Sequence, residues 1–418
     1  MKLNMFFGSP ASNRRGGGVT RLGLVSAASL VVAAFLSACQ LVTIDFAYLA
    51  ETGASGGDGQ IQAFAVDSES GALRPAGFTS VDSGGPSPVA IAASADNDNL
   101  YVANQGNNSV VHFTIATTGV LAKKDSVTLS GVPVYLAVNP AGTYLFVVSG
   151  TTSATLTVFP LTSGTIGSVA AQESLTIPGA AFASDTIVPT GVTALANNNA
   201  VYATIYDQSA YNPGGTTTSS ANPGWVFGFT VGSGGALTAT LGSPYKAGVK
   251  PSALAADPTS RFVYVTDFAS NQIVAYTVQS NGILNFLING PFKTGSEPAA
   301  ITIDPRGKYI YVANSLDSSV SAYVIDLATG TPSAAVNVTG ASINTTDTQP
   351  VSIVVDPALG RYVYTANMLG NSVSGFRLDP NAGALSPAQA TPYPAKEPRP
   401  TAITCVPHGN HSTQSVTP

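Results

Sequence analysis

A short unit recurs along this chain, and it leaves few folds open. Its clearest copy, residues 297–326, reads EPAAITIDPRGKYIYVANSLDSSVSAYVID. Residues 250–278, 349–379 and 87–115 follow the same scheme. The stretch from Val132 keeps the first half, and a degenerate copy starts near Pro189. The copies are anchored by Pro88, Pro133, Pro189, Pro251, Pro298, Pro350 and Pro400, spaced 45, 56, 62, 47, 52 and 50 residues apart. Within a unit, short runs of Val, Ile, Tyr and Phe alternate with Asn, Asp, Gly and Pro, the chemistry of strands and tight turns. Beyond residue 38 no window sustains a helical period.

Each unit reads as four strands. Ala300–Ile303 is an apolar strand a, and Tyr309–Ala313 an aromatic-rich strand b. Val320–Ile325 is an alternating strand c, and a weaker strand d precedes the next anchor proline. Proline at the start of a strand costs no ladder hydrogen bond. The Asp-Pro-x-Gly stretch from Asp304 to Gly307 turns strand a into strand b. Four-stranded units repeated around an axis make an all-β propeller. The chain ends settle the number of blades. Residues 400–407 align with Pro298 to Pro305, a strand a with nothing after it. Phe46–Glu51, Ile61–Asp67 and Pro75–Val81 supply the missing b, c and d. The C-terminal strand therefore joins the N-terminal blade, giving seven blades over residues 45–407 and removing an exposed sheet edge. Cys405 takes the place of Ile303 in its unit, which predicts a buried thiol.

Tyr101-Val102-Ala103-Asn104 followed by Asn108-Ser109-Val110 resembles the YVTN-type propeller repeat. So do Tyr311–Asn314 with Ser319-Val320, and Tyr364–Asn367 with Ser372-Val373. The chain is thereby similar to the seven-bladed lactonase family that includes 6-phosphogluconolactonase. The resemblance spans nearly all of 45–407. It implies the fold; the activity it implies is lactone hydrolysis, although one fold hosts many functions.

The strand order places the residues before the anchor prolines and the ends of the b strands on one face, called upper here. The b ends carry Glu51, Asn104, Asp267, Asn314 and Asn367, with Ser149 in the third unit. The residues before the prolines include Lys250, Glu297, Gln349 and Arg399. Only 9% of the chain is charged, so charges of both signs meeting at one end of a channel point to a small-ligand site. The competing role is structural, because Asn at a strand end bonds its own backbone and suits a turn. An insertion from Tyr206 to Trp225 replaces one b–c turn and rises from the same face. Tyr206, Tyr211 and Trp225 offer rings that stack on a sugar. The opposing reading is a Gly/Ser/Thr-rich flap with Trp225 packed into strand c.

Lactone opening needs an activated water and a stabilised oxyanion. Enzymes of the resembled family carry His, Arg and Glu on this face, often as Pro-His or Arg-His before strand a. The corresponding places here read Lys250-Pro251-Ser252 and Glu297-Pro298-Ala299. His112 falls in a strand c, and His408 and His411 in the tail 408–418. A catalytic role would fall to Glu51, Asp267 or Glu297 as a general base. No His/Cys spacing suggests a metal, and no cofactor is expected.

The first 38 residues read as an export signal. Lys2, Arg14, Arg15 and Arg21 precede an apolar run from Leu22 to Ala38, and no acidic residue occurs before Asp45. The run ends Leu36-Ser37-Ala38-Cys39, which resembles a bacterial lipobox with Cys39 as the lipid-bearing residue. Residues 39–44 then serve as a short tether. Removing residues 1–38 leaves 13 basic against 22 acidic residues, so membrane attachment would come from the lipid rather than from charge. Gln40 in place of Asp favours the outer membrane where two membranes exist. The absence of basic excess excludes nucleic acid as the expected partner. These readings lead to a monomeric, lipid-anchored envelope module that binds a protein or a carbohydrate. The alternative is a divergent lactonase in which Lys250 and Arg399 hold an anionic sugar lactone.

Overall fold

The computed structural model describes residues 42–53, 57–78, 80–177, 186–211, 223–336 and 340–408. Signal residues 1–38, Cys39, the 212–222 part of the insertion and the tail from 409 lie outside them. The described strands form seven antiparallel sheets. Blade 1 is composite: Pro400–Pro407 is its innermost strand, Thr43–Glu51 its second and Gln60–Asp67 its third. Tyr48 faces Thr404 and Leu49 faces Ile403 across that join. The innermost strands of blades 2 to 7 are Pro88–Ala93, Pro133–Val138, Ile187–Ala194, Pro251–Ala256, Pro298–Ile303 and Pro350–Val355.

Two boundaries differ from the sequence reading. The first strand takes in Thr43 and Ile44, assigned above to a tether, because Ile44 is buried and its carbonyl accepts from the His408 backbone N–H. His408 accordingly caps the closing strand, edge-on to Phe46, rather than belonging to a tail. The expected strand Pro75–Val81 is broken into Leu73–Pro75 and Val81–Asp82. Outer strands elsewhere are split likewise, with Leu284–Phe286 and Phe292–Lys293 both pairing the third strand of blade 5. Pro244, Pro291 and Pro392, each after a cis bond, occupy three of these gaps, where a residue without an N–H cannot continue the ladder. Blade 2 keeps a continuous outer strand, Leu121–Thr128.

Blades are latched to one another by tyrosine. Tyr48, Tyr101, Tyr202, Tyr264, Tyr311 and Tyr364 are buried in their second strands. Each donates its hydroxyl to a glycine carbonyl of the next blade: Gly119, Gly164, Gly282, Gly330, Gly383 and Gly71, at 2.6 to 2.9 Å. The acceptor position requires glycine. Gly383 has φ +69°, and a Cβ there would lie 2.2 Å from the Tyr309 ring. Six of seven interfaces carry the latch. At the interface of blades 3 and 4 the corresponding residue is Phe146, which has no hydroxyl to give, although blade 4 keeps the glycine, Gly235, against Tyr144.

Cys405 is a free, buried thiol beside Tyr364, and burial pushes its pKa up. Asp45, fully buried nearby, is held well above the carboxylate range by burial and by the neighbouring Asp356.

Candidate functional site at the axial mouth

In six blades the pairing register puts the anchor proline directly opposite the end of its b strand, whereas in blade 4 Pro189 faces Ile205, two residues before the strand ends at Asp207. Pro298 faces Asn314, Pro350 faces Asn367, Pro251 faces Asp267, Pro88 faces Asn104 and Pro400 faces Glu51. All nine polar residues expected on the upper face therefore lie at the same end of the ring. They divide into two sets with different roles.

The five b-end residues are struts inside the blades. Glu51, Asn104, Asp267, Asn314 and Asn367 are all 0% exposed. Asp267 accepts the backbone N–H groups of Val249 and Lys250, each at 2.9 Å, and the Gln272 amide at 3.0 Å. Asn314 donates to the Ser319 and Ser321 hydroxyls and accepts from Thr294. Asn367 donates to Ser372 and Ser374, and Asn104 donates to the Ser83 carbonyl. These partners leave the side chains closed to solvent, so the expectation that they contact a ligand is corrected. Glu51 accepts the Lys396 N–H at 3.0 Å through one oxygen, while the other has no partner among the described residues. Burial pushes its pKa up to about 7, against the pull of the Glu397 and Lys396 N–H groups. In the two blades whose pre-proline residue is a cation, Lys250 or Arg399, the residue facing the anchor proline is an acid; in the others it is an amide, Ser149 or Ile205.

The four pre-proline residues stay accessible. Lys250, Glu297 and Gln349 are half-buried and Arg399 is exposed. They belong to blades 5, 6, 7 and 1, which are consecutive, so they form a polar arc around half of the mouth. Glu297, Gln349 and Arg399 have positive φ, at 53°, 60° and 60°. Their backbone N–H groups are held across the blade boundary by Asn271, Ser318 and Asn371. The Gln349 side-chain oxygen is buried without a partner among the described residues. The opposite half of the mouth carries Ser87, Val132 and Val188, which bring no charge.

Tyr206 and Tyr211 join this arc. The Lys250 ammonium lies 5.4 Å from the Tyr206 ring centre, 5.1 Å from Tyr211 and 4.5 Å from Phe268. Burial lowers the Lys250 pKa, and the charge of Glu297 pulls it back up. The two tyrosines meet edge to face, 6.1 Å apart. Trp225 does not join them. It is the second residue of the third strand of blade 4, Gly224–Val231, opposite Ile205, and packs on the core shared by blades 3 and 4.

Below the mouth runs an axial cavity of about 200 Å³, lined by the innermost strands of all seven blades. In every blade the residue after the anchor proline is bulged: Pro298 faces Asn314 while Ala300 faces Ala313, so Ala299 is skipped. A bulge re-aims side chains at a sheet edge. Two bulged hydroxyls stitch neighbouring blades, Ser252 to the Pro298 carbonyl and Thr401 to the Pro88 carbonyl. Tyr135 also lines the cavity; its position in the chain gave no signal that set it apart from other strand residues.

His112 is excluded from the mouth. Its Nδ1 lies 2.8 Å from Asp125 and its Nε2 2.8 Å from Asn99, inside blade 2 and 1% exposed. Among the described residues no cluster of three or more His, Cys, Asp or Glu is arranged to hold a metal ion.

A family model described as lactonase, 7-bladed beta-propeller, matches residues 57–181 and 250–410. The unmatched stretch between them contains blade 4. Solved structures share the fold. The periplasmic gluconolactonase of Pseudomonas aeruginosa is 19% identical with a TM-score of 0.69, covering 87% of this chain and 99% of its own. A Bacteroides fragilis protein assigned as a 6-phosphogluconolactonase is 19% identical at a TM-score of 0.68, covering 87% and 98%. A Bacteroides uniformis counterpart is 21% identical at 0.66, covering 87% and 99%. A search of curated proteins returned no match.

Proposed function

Because the chain belongs to the seven-bladed lactonase β-propeller family, we propose that it hydrolyses the ring ester of a sugar lactone at the axial mouth. The observation that carries this reading is the arc of Lys250, Glu297, Gln349 and Arg399 above a concave axial cavity. The family match supports catalysis over the binding or scaffold role that the residues alone suggested. Similar structures from Pseudomonas aeruginosa and Bacteroides fragilis, a gluconolactonase and a protein assigned as a 6-phosphogluconolactonase, point to the substrate class.

The chemistry follows from the arc. Glu297 takes a proton from a water, and that water attacks the lactone carbonyl. The carbonyl oxygen becomes an oxyanion beside the cations Lys250 and Arg399, which also attract an acidic or phosphorylated sugar. The ring C–O bond then breaks, the proton passes to the leaving alkoxide, and a hydroxy acid departs. Asp267, with all three of its donors in place, serves as a strut beneath Lys250 rather than as the base. We also propose that Cys39 carries a lipid and keeps the enzyme at the cell envelope; mass spectrometry of the native N-terminus tests that. For activity, the test is hydrolysis of glucono-1,5-lactone and its 6-phosphate by the purified protein. The expected result is turnover above the spontaneous rate that Glu297→Gln abolishes. No turnover, with capture of an envelope protein or carbohydrate instead, would restore the binding reading.

A further inference from the structure

One level of the axial channel is occupied unequally. Two residues past each anchor proline the chain carries Ala90, Tyr135, Gly191, Ala253, Ala300, Ser352 and Ala402. These positions share one register, each facing the residue before the anchor proline's partner, as Tyr135 faces Val148 and Ala300 faces Ala313. All but Gly191 line the axial cavity. Six are small, and Tyr135 is the single large side chain among them. It projects from blade 3, across the ring from the arc on blades 5, 6, 7 and 1.

Tyr135 also differs from the other tyrosines of the ring. The six latch tyrosines each spend their hydroxyl on a glycine carbonyl. The Tyr135 hydroxyl makes no hydrogen bond to any described residue. The residue is 40% exposed, although protein encloses it. Enclosure raises its pKa, so the O–H remains a donor through the physiological range. A phenol with an unspent proton in a narrow channel suits an oxygen acceptor on a ligand better than it suits packing alone.

The cavity restricts what enters. About 200 Å³ is less than the roughly 300–1,000 Å³ of a typical small-molecule site, so only a compact polar group fits. From the pre-proline rim to the Tyr135 level is three residues with one bulged, roughly 7–10 Å at ~3.3 Å per residue. That depth suits one end of a sugar-sized molecule whose other end stays among Lys250, Glu297 and Arg399.

We propose that the Tyr135 hydroxyl donates a hydrogen bond to the carbonyl or carboxylate oxygen of a sugar lactone, or of its sugar acid, seated in the axial mouth. The identity of the ligand rests on the lactonase reading; the unspent donor does not. The test is calorimetric titration of the purified full chain with gluconate and with 6-phosphogluconate, alongside lactone turnover, for wild type and Tyr135→Phe. The Phe variant keeps the ring and removes only the donor, so its melting temperature should match wild type. The expected result is an affinity about tenfold weaker, the worth of one hydrogen bond, with a similar fall in kcat/KM where turnover occurs. Binding within twofold of wild type, or no binding of either acid to wild type, overturns the proposal. Tyr135-dependent binding without any turnover keeps the donor and retires the hydrolase. Turnover indifferent to Tyr135→Phe does the reverse.

Discussion

Two seams of the ring are built very differently. Blade 1, where the chain ends meet, is tied on every side. Its strands Thr43–Glu51 and Pro400–Pro407 pair along their length. Tyr364 latches blade 7 to Gly71, Tyr48 latches blade 1 to Gly119, and Thr401 bonds the Pro88 carbonyl. The seam between blades 3 and 4 lacks its latch, since Phe146 stands where the other blades have tyrosine. Blade 4 also lies in the stretch that the family model leaves unmatched, and it supplies Tyr206 and Tyr211 to the mouth. The comparison teaches that closure is secured redundantly where the chain could come apart. The blade bringing the unusual site residues keeps its latch to blade 5, Tyr202 to Gly282, but meets blade 3 through apolar packing and the Asn198 side-chain oxygen, which accepts from Asn139 and the Ala141 N–H.

The contrast is open to direct attack, most severely at the closure. Deleting residues 400–418 removes the innermost strand of blade 1 and exposes the strand Thr43–Glu51. The expected outcome is loss of any cooperative thermal transition, with aggregation seen in size-exclusion chromatography. A soluble, cooperatively melting truncation would show that closure is dispensable.

Next in size is the buried acid opposite Pro400. Glu51 sits at about 7 in the folded chain against an ordinary 4.5. A raised folded pKa means that the folded state binds the proton more tightly than the unfolded one. The stability this provides is complete below about pH 4.5 and is lost as pH rises through about 7, by roughly 3 kcal/mol. Urea unfolding from pH 4 to 8 should show that decline in wild type, and Glu51→Gln should make it shallower, leaving the share that buried Asp45 adds in the same direction. Parallel profiles for the two proteins would count against a buried, proton-linked Glu51.

The latches give smaller effects of opposite sign. Tyr311→Phe leaves the Gly383 carbonyl without its donor and should cost about 1–3 kcal/mol. Phe146→Tyr offers the missing hydroxyl to the glycine loop of blade 4 and should add up to about 1 kcal/mol. Denaturant midpoints read both, and a destabilising Phe146→Tyr would mean that this seam has no acceptor in reach.

Much of the architecture was legible because the repeat is carried by backbone-dictating residues. Anchor prolines mark strand starts in six blades, Asp304 and Gly307 mark a turn, and the orphan copy at 400–407 announces the closure. The register follows from these, so the upper-face set was correctly assigned to one end. Which side chains stay available there was not legible. Asp267 and Lys250 lie on the same face, yet one is sealed because loop N–H groups fold over it. That outcome depends on a loop path, not on residue type. The outer strands were read as continuous because nothing local distinguishes a gap from a weak strand. The tyrosine latches join residues 63 to 293 positions apart, as Tyr101 with Gly164 and Tyr364 with Gly71, beyond any local pattern. Tyr135 looks like any strand tyrosine until seven innermost strands are placed around one axis.

The central claim is that the ligand is a sugar acid or its lactone held on the axis. A crystal structure of the protein with 6-phosphogluconate tests it most directly. The account expects the sugar in the mouth, between Lys250, Glu297 and Arg399, with its carboxylate toward Tyr135. A sugar bound instead in the outer groove beside Lys246 and Phe286, or an empty axis at saturating ligand, would contradict it.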